Sequence, residues 1–126
     1  MNHEAFKAVG IDIEDALSRV MGNEVLLQSL LKTYAEDDQF SILEDALRHQ
    51  DSQRAINACH CLKGMCGNLS MTKLFELFTQ QLAYLREGNW DEAEKLMPQI
   101  EKSHYAILSA VQNGSLNEFQ NATVLQ

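Results

Sequence analysis

The sequence predicts an all-α domain, an up-and-down antiparallel four-helix bundle with an additional short N-terminal helix. Three observations carry this expectation. Between Ile11 and Gln112 apolar residues recur at helical intervals of three and four. β-branched residues never cluster as a strand requires. The segments are separated by short turns and contain one proline, Pro98, and amphipathic helices joined by short loops pack as antiparallel bundles.

Taken in order, the first helix starts at the N-cap Asp12, carries Ile13, Ala16, Leu17 and Val20 on one side, and stops at Gly22. His3 falls in a loose N-terminal stretch before it. Asn23 caps a second, longer helix with Val25, Leu26, Leu30 and Tyr34, continuing past Glu36-Asp37-Asp38 to Phe40, Leu43 and Leu47. The three acids read as a solvated face. Asp51 caps a third helix. A fourth begins near Met71 and aligns Leu74, Leu77, Phe78, Gln81, Leu82 and Leu85 before the turn Glu87-Gly88-Asn89. A fifth starts near Trp90 or Asp91 and runs to about Gln112, with Ile100, Tyr105, Leu108 and Val111 apolar. Pro98 implies a kink, or a break with proline in a new first turn. Residues 1–112 are expected to form the bundle and 113–126 a loosely ordered tail.

Composition narrows the function. The 126 residues are 45% hydrophobic and 22% charged, enough for a single core. No apolar run approaches the roughly 20 residues of a membrane span. The start has neither a basic nor an apolar leader region, so the cytoplasm is the expected compartment. A net charge of −8 argues against nucleic acid as a partner. The charge is uneven: residues 1–50 hold ten acids and four bases, whereas 51–88 hold three acids and four bases. Cys59, Cys61 and Cys66 all lie on the third helix, where Cys59 and Cys66 are about 10 Å apart, too far for a disulfide. They suit a reducing compartment and read as small core residues. Zinc ligation by Cys59, His60 and Cys61 is excluded by helical geometry, because neighbouring residues point about 100° apart and do not converge on one ion.

The third helix is the informative one. Ala55, Ala58, Cys59, Leu62, Met65, Cys66 and Leu69 form an apolar stripe. Gln53, Ile56, Asn57, His60, Lys63, Gly64 and Gly67 form the opposite one, so His60 faces solvent with Lys63 and Gly64 one turn on. Glycine inside a helix is less stable than alanine by about 1 kcal/mol. Two outward glycines beside an exposed histidine are explained by access: a second molecule can approach the imidazole.

The run His60-Cys61-Leu62-Lys63-Gly64, followed by Asn68-Leu69, resembles the His-x-x-Lys-Gly signature of histidine-containing phosphotransfer (HPt) domains. The resemblance spans roughly residues 11 to 112 through helix order and lengths. Ser70 stands where that family usually has glycine, and Met65 where a small residue is common. The resemblance implies a phosphocarrier that takes a phosphoryl group from a receiver-domain aspartate onto His60 and passes it to another receiver. The partners it implies are receiver domains of a hybrid sensor kinase and a response regulator, with this chain acting as a monomer. It implies no cofactor on this chain, Mg²⁺ being supplied in the receiver.

The residues support that chemistry. Neutral imidazole, with a reference pKa of about 6.5, is a competent nucleophile at neutral pH. Lys63 is placed to offer an ammonium to phosphoryl oxygens. Gly64 and Gly67 leave docking room, and Ile56 adds apolar contact. Gln81 interrupts the apolar stripe of the fourth helix: it either docks against the site and bonds the second imidazole nitrogen, or is a boundary residue in contact with water. No phosphate-cradling loop is present, so the chain is not expected to be an ATP-dependent kinase. His3, His49 and His104 lack such neighbours and read as structural or solvated. The rival reading is a non-phosphorylated helical adaptor.

Overall fold

The computed structural model describes the backbone of residues 1–124 and side chains up to Asn113. Every regular element among the described residues is a helix: α1 (His3–Ala8), α2 (Ile13–Arg19), α3 (Glu24–Glu36), α4 (Gln39–Arg48), α5 (Ser52–Asn68), α6 (Thr72–Arg86), α7 (Trp90–Lys95) and α8 (Met97–Val124). Short polar side chains set the starts. Asn2, Asp12, Asn23, Asp51 and Asn89 each accept a bond from the backbone N–H three residues on, satisfying a donor the first turn leaves unpaired.

The ends are equally uniform. Behind α1, α2, α4, α5 and α6 the chain closes with a 5→2 and a 6→1 backbone bond, as in Ser70 N–H to Gly67 O and Met71 N–H to Cys66 O after α5. The residue at each pivot has a positive φ: Gly10, Met21, Gln50, Ser70 and Gly88. Three of these five are not glycine. Ser70 is the informative case, at φ +56. Its Oγ donates to Asp15 Oδ2 at 2.6 Å, and its carbonyl accepts from Asp12 N–H at 2.9 Å. The turn after α5 is thus tied to the start of α2. That bond is the first cause, with Arg19 the second, holding the Asp15 carboxyl below its ordinary value. Ser70→Gly is expected to be more stable than Ser70→Ala by about 1 kcal/mol, since both lose the hydroxyl and only alanine keeps the left-handed penalty. Urea midpoints of the two variants check this.

Three sequence expectations are corrected. The N-terminal stretch is a helix, α1, with Phe6 buried and His3 paired with Glu24. The expected long second helix is two. Asp37 adopts an extended backbone, and its Oδ1 accepts from Gln39 N–H at 2.7 Å, a local bond that competes with helix continuation. The break has a packing reason. On an unbroken helix Tyr34 and Phe40, six residues apart, would point about 120° apart, yet both are buried. Third, the inward stripe of α3 is Leu27, Leu31 and Tyr34, while Val25, Leu26 and Leu30 are 76%, 43% and 38% exposed. Tyr105 is likewise exposed.

Pro98 lies in the first turn of α8, after a break at Leu96, where its missing N–H removes no helical bond. The backbone of α8 continues to Val124, past the expected end near Gln112. The side chains of the expected tail from Gly114 onward lie outside the described residues. In the packed molecule α5 lies between α4 and α6, α6 also packs on α7 and α8, and α3 lies on α8. The core is continuous across them, with Leu43, Leu62, Leu74, Phe78, Leu82 and Ile100 essentially fully buried.

Candidate functional site

Helix α5 carries the site because its two stripes fall as the sequence places them. Ala55, Ala58, Cys59, Leu62 and Cys66 are buried against α4 and α6. His60 and Gly64 are exposed, and Ile56, Lys63 and Gly67 are half-buried. The inward stripe anchors the helix, so the imidazole of His60 is held on a fixed backbone with its side chain in solvent.

The two glycines differ. A Cβ on Gly64 would meet nothing within 4 Å. No contact inside the molecule requires glycine there, and alanine would be the more stable helix residue. A Cβ on Gly67 would lie 3.2 Å from Cε2 and 3.3 Å from Cδ2 of Phe75 on α6. Docking room at Gly67 is therefore already filled by a ring of this chain. The same ring has the Lys63 Nζ 5.7 Å from its centroid. Phe75 was not singled out in the sequence, although an aromatic residue among the exposed Thr72, Lys73, Glu76 and Thr79 is a visible signal.

Gln81 is corrected on both of its sequence readings. Its residue exposure is 0%, so it neither docks a partner nor contacts water. Nε2 donates to the Ala93 carbonyl at 3.1 Å and lies 3.1 Å from Met97 Sδ. Oε1 accepts from the Cys59 thiol at 3.6 Å. Gln81 thus ties α5, α6, α7 and the start of α8 together from within. Its place in the 74, 77, 78, 81, 82, 85 stripe was the signal for burial.

The expectation that all three cysteines are core residues holds for Cys59 and Cys66 and is corrected for Cys61, which is exposed. Burial pushes Cys59 and Cys66 up to about 12. The exposed Cys61 is also held above its ordinary value, first by partial desolvation and then by the carboxylates of Asp37 and Asp38. Cys59 and Cys66 point inward and His60 outward, so the three do not converge.

The other histidines are engaged within the chain. His3 pairs with Glu24, and His49 Nδ1–H donates to the Asp45 carbonyl at 2.9 Å. His104 is buried, stacked on Phe40 with centroids 3.7 Å apart, its Nδ1 2.7 Å from the Tyr34 hydroxyl. Desolvation lowers His104 to about 4 and pushes the Tyr34 hydroxyl up, so the tyrosine keeps its proton and its O–H donates a hydrogen bond to Nδ1 of the neutral imidazole.

An all-helical domain that displays a histidine on an open helix face, with Lys and an uncovered Gly one turn on, is the class defined here. The model of the Hpt domain family matches residues 25–112, and the chain belongs to that family. No curated protein and no solved structure matches the chain. Membership implies histidine phosphotransfer in two-component phosphorelays, with receiver domains as the class of partner. Hpt domains are phosphocarriers rather than ATP-dependent kinases. Among the described residues no helix is long and apolar enough to cross a membrane.

Proposed function

We propose that His60 is the phosphoacceptor of a multistep phosphorelay, taking a phosphoryl group from a receiver aspartate and passing it to a second receiver. The observation that carries this is Gly64: an uncovered glycine one turn from an exposed imidazole, at a position where the fold itself gains nothing from glycine. In the forward step the unprotonated ring nitrogen of His60 attacks phosphorus. The N–P bond forms as the P–O bond to the aspartyl carboxylate breaks, and the carboxylate leaves with the electron pair. Such transfers are governed by positioning and charge neutralisation. Lys63 supplies a cation from this chain, and the receiver supplies Mg²⁺ and its acidic pocket. The donor receiver belongs to a hybrid sensor kinase and the acceptor to a response regulator, and the chain works as a monomer in the cytoplasm.

The less acidic segment 51–88 supports this docking, because α5 and α6 within it pack side by side and give the site a surface suited to an acidic pocket. We further infer that the long helices α3/α4, α5, α6 and α8 run up and down as the core bundle, with the short α2 at one end.

The test is incubation of the whole chain with a labelled phosphorylated receiver and Mg²⁺, followed by acid and base treatment. A label that is acid-labile and base-stable is the expected result. No label from a panel of receivers, on a chain that binds them, points instead to the adaptor reading. A second result bears on access. Gly64→Leu is expected to retain helicity and to slow transfer about tenfold or more, equivalent to about 1.4 kcal/mol of barrier. Unchanged kinetics remove the access argument.

A further inference from the structure

We propose that Phe75 is a positioning residue for phosphotransfer, its ring seated on Gly67 and holding the Lys63 ammonium on the His60 face of α5. The inference rests on the reading of His60 and Lys63 given above and deepens it. Phe75 is 37% exposed and stands on the outward side of α6, where its neighbours Thr72, Lys73, Glu76 and Thr79 are polar. An aromatic residue there is not required by the core. Its ring edge lies so close to the Gly67 backbone that a Cβ would sit 3.2 Å away. Glycine at 67 therefore forms the notch that seats the ring.

The consequence falls on Lys63, one turn before Gly67 on the same stripe. A lysine ammonium is a strongly hydrated charge on a four-carbon stem that samples many rotamers when nothing holds it. Here Nζ lies 5.7 Å from the Phe75 centroid, inside the distance at which a ring face attracts a cation. That attraction uses no hydrogen-bond acceptor, so all three N–H donors stay available for phosphoryl oxygens. The pair Gly67 and Phe75 thus biases Lys63 toward one side of α5 before any partner arrives. An exposed cation–π contact corresponds to about a two- to fivefold effect on a rate that depends on it.

The experiment uses the full chain and four variants: Phe75→Leu, Phe75→Tyr, Lys63→Ala and the double variant Phe75→Leu/Lys63→Ala. Two readouts are taken: the NMR shift of the Lys63 ε-methylene, which senses the ring without phosphate, and the rate of label transfer from a phosphorylated receiver. Far-UV circular dichroism checks helicity, and Phe75→Met replaces the leucine variant if that one unfolds. We expect Phe75→Leu to move the Lys63 ε-methylene downfield and to slow transfer about two- to fivefold. Phe75→Tyr restores both, and Phe75→Leu adds nothing once Lys63 is alanine. An ε-methylene shift that does not move overturns the proposal. So does an equal slowing with and without Lys63, which assigns Phe75 to direct contact with the receiver. Failure of the wild-type chain to take label from any receiver overturns the phosphoacceptor reading and this role with it. That outcome is distinct from a labelled wild type that Phe75→Leu merely equals.

Discussion

The His60→Gln chain is expected to fold as the wild type does and to take up no phosphoryl label from any receiver. His60 is exposed on α5 and the inward stripe of that helix does not include it, so its replacement leaves the core untouched. Surface changes of this kind usually shift stability by less than about 0.5 kcal/mol. Glutamine keeps size and polarity, but its amide nitrogen has its lone pair delocalised into the carbonyl and is not a nucleophile. No other histidine takes over: His3 and His49 are bonded to neighbours within their own surroundings, and His104 is buried. Labelling should fall below detection while the far-UV spectrum and urea midpoint stay in place. A variant still labelled to the wild-type level removes His60 from the mechanism and with it the proposed function.

Acidification from pH 7 toward pH 4 is expected to destabilise the fold by up to about 3 kcal/mol through His104 alone. The sign follows from proton counts. Burial lowers His104 from 6.5 to about 4 in the folded chain, so between those values the unfolded chain binds the proton and the folded chain does not. Stability is fully present above the unfolded value and falls as pH drops through the window between the two. The groups facing the ring are Tyr34, Phe40 and Tyr105, and none of them supplies a negative charge that would stabilise imidazolium. Carboxylates such as Asp15 and Asp45, held below their ordinary values, add losses at lower pH. The difference between the wild type and His104→Phe isolates the histidine. Urea unfolding at several pH values should give a slope for the wild type between pH 6.5 and 4 that the phenylalanine variant lacks. Parallel slopes would show that His104 titrates alike in both states.

What the sequence disclosed, and what it hid, divides along physical lines. Asp12, Asn23 and Asp51 mark helix starts because a cap acts on the backbone three residues away, within reach of a local reading. The faces of α5 and α6 were legible because one period governs each whole element. The α3–α4 break was not, since Glu36, Asp37 and Asp38 read equally well as the solvated face of one continuous helix. The interruption goes with the Asp37 side-chain bond to Gln39 N–H and with the burial of both Tyr34 and Phe40, which the packed structure displays. The left-handed pivots at Met21, Gln50 and Ser70 carry no glycine to announce them. Ser70 is sustained by Asp15, a partner 55 positions away. At the site, His60, Lys63 and Gly64 were visible as a motif within one turn. The occupation of Gly67 by Phe75 was not, because it joins two helices through a turn whose geometry the sequence leaves open. Gln81 was misassigned because a buried amide is satisfied by Ala93, Met97 and Cys59, which only the packed structure brings together.

Gly64 also bears on how this protein would respond to directed improvement. A screen for thermal tolerance scores the folded chain alone, and at position 64 nearly any helix-forming side chain raises that score, since nothing occupies the space around it. The same change narrows the approach to His60. Selection on heat resistance would therefore enrich well-folded chains that no longer relay a signal, a case of the trade-off between robustness and activity located at one atom-sized vacancy. A library meant to keep signalling intact would hold position 64 fixed and seek its gains at Met21 and Gln50, where glycine relieves a left-handed backbone far from that approach in sequence.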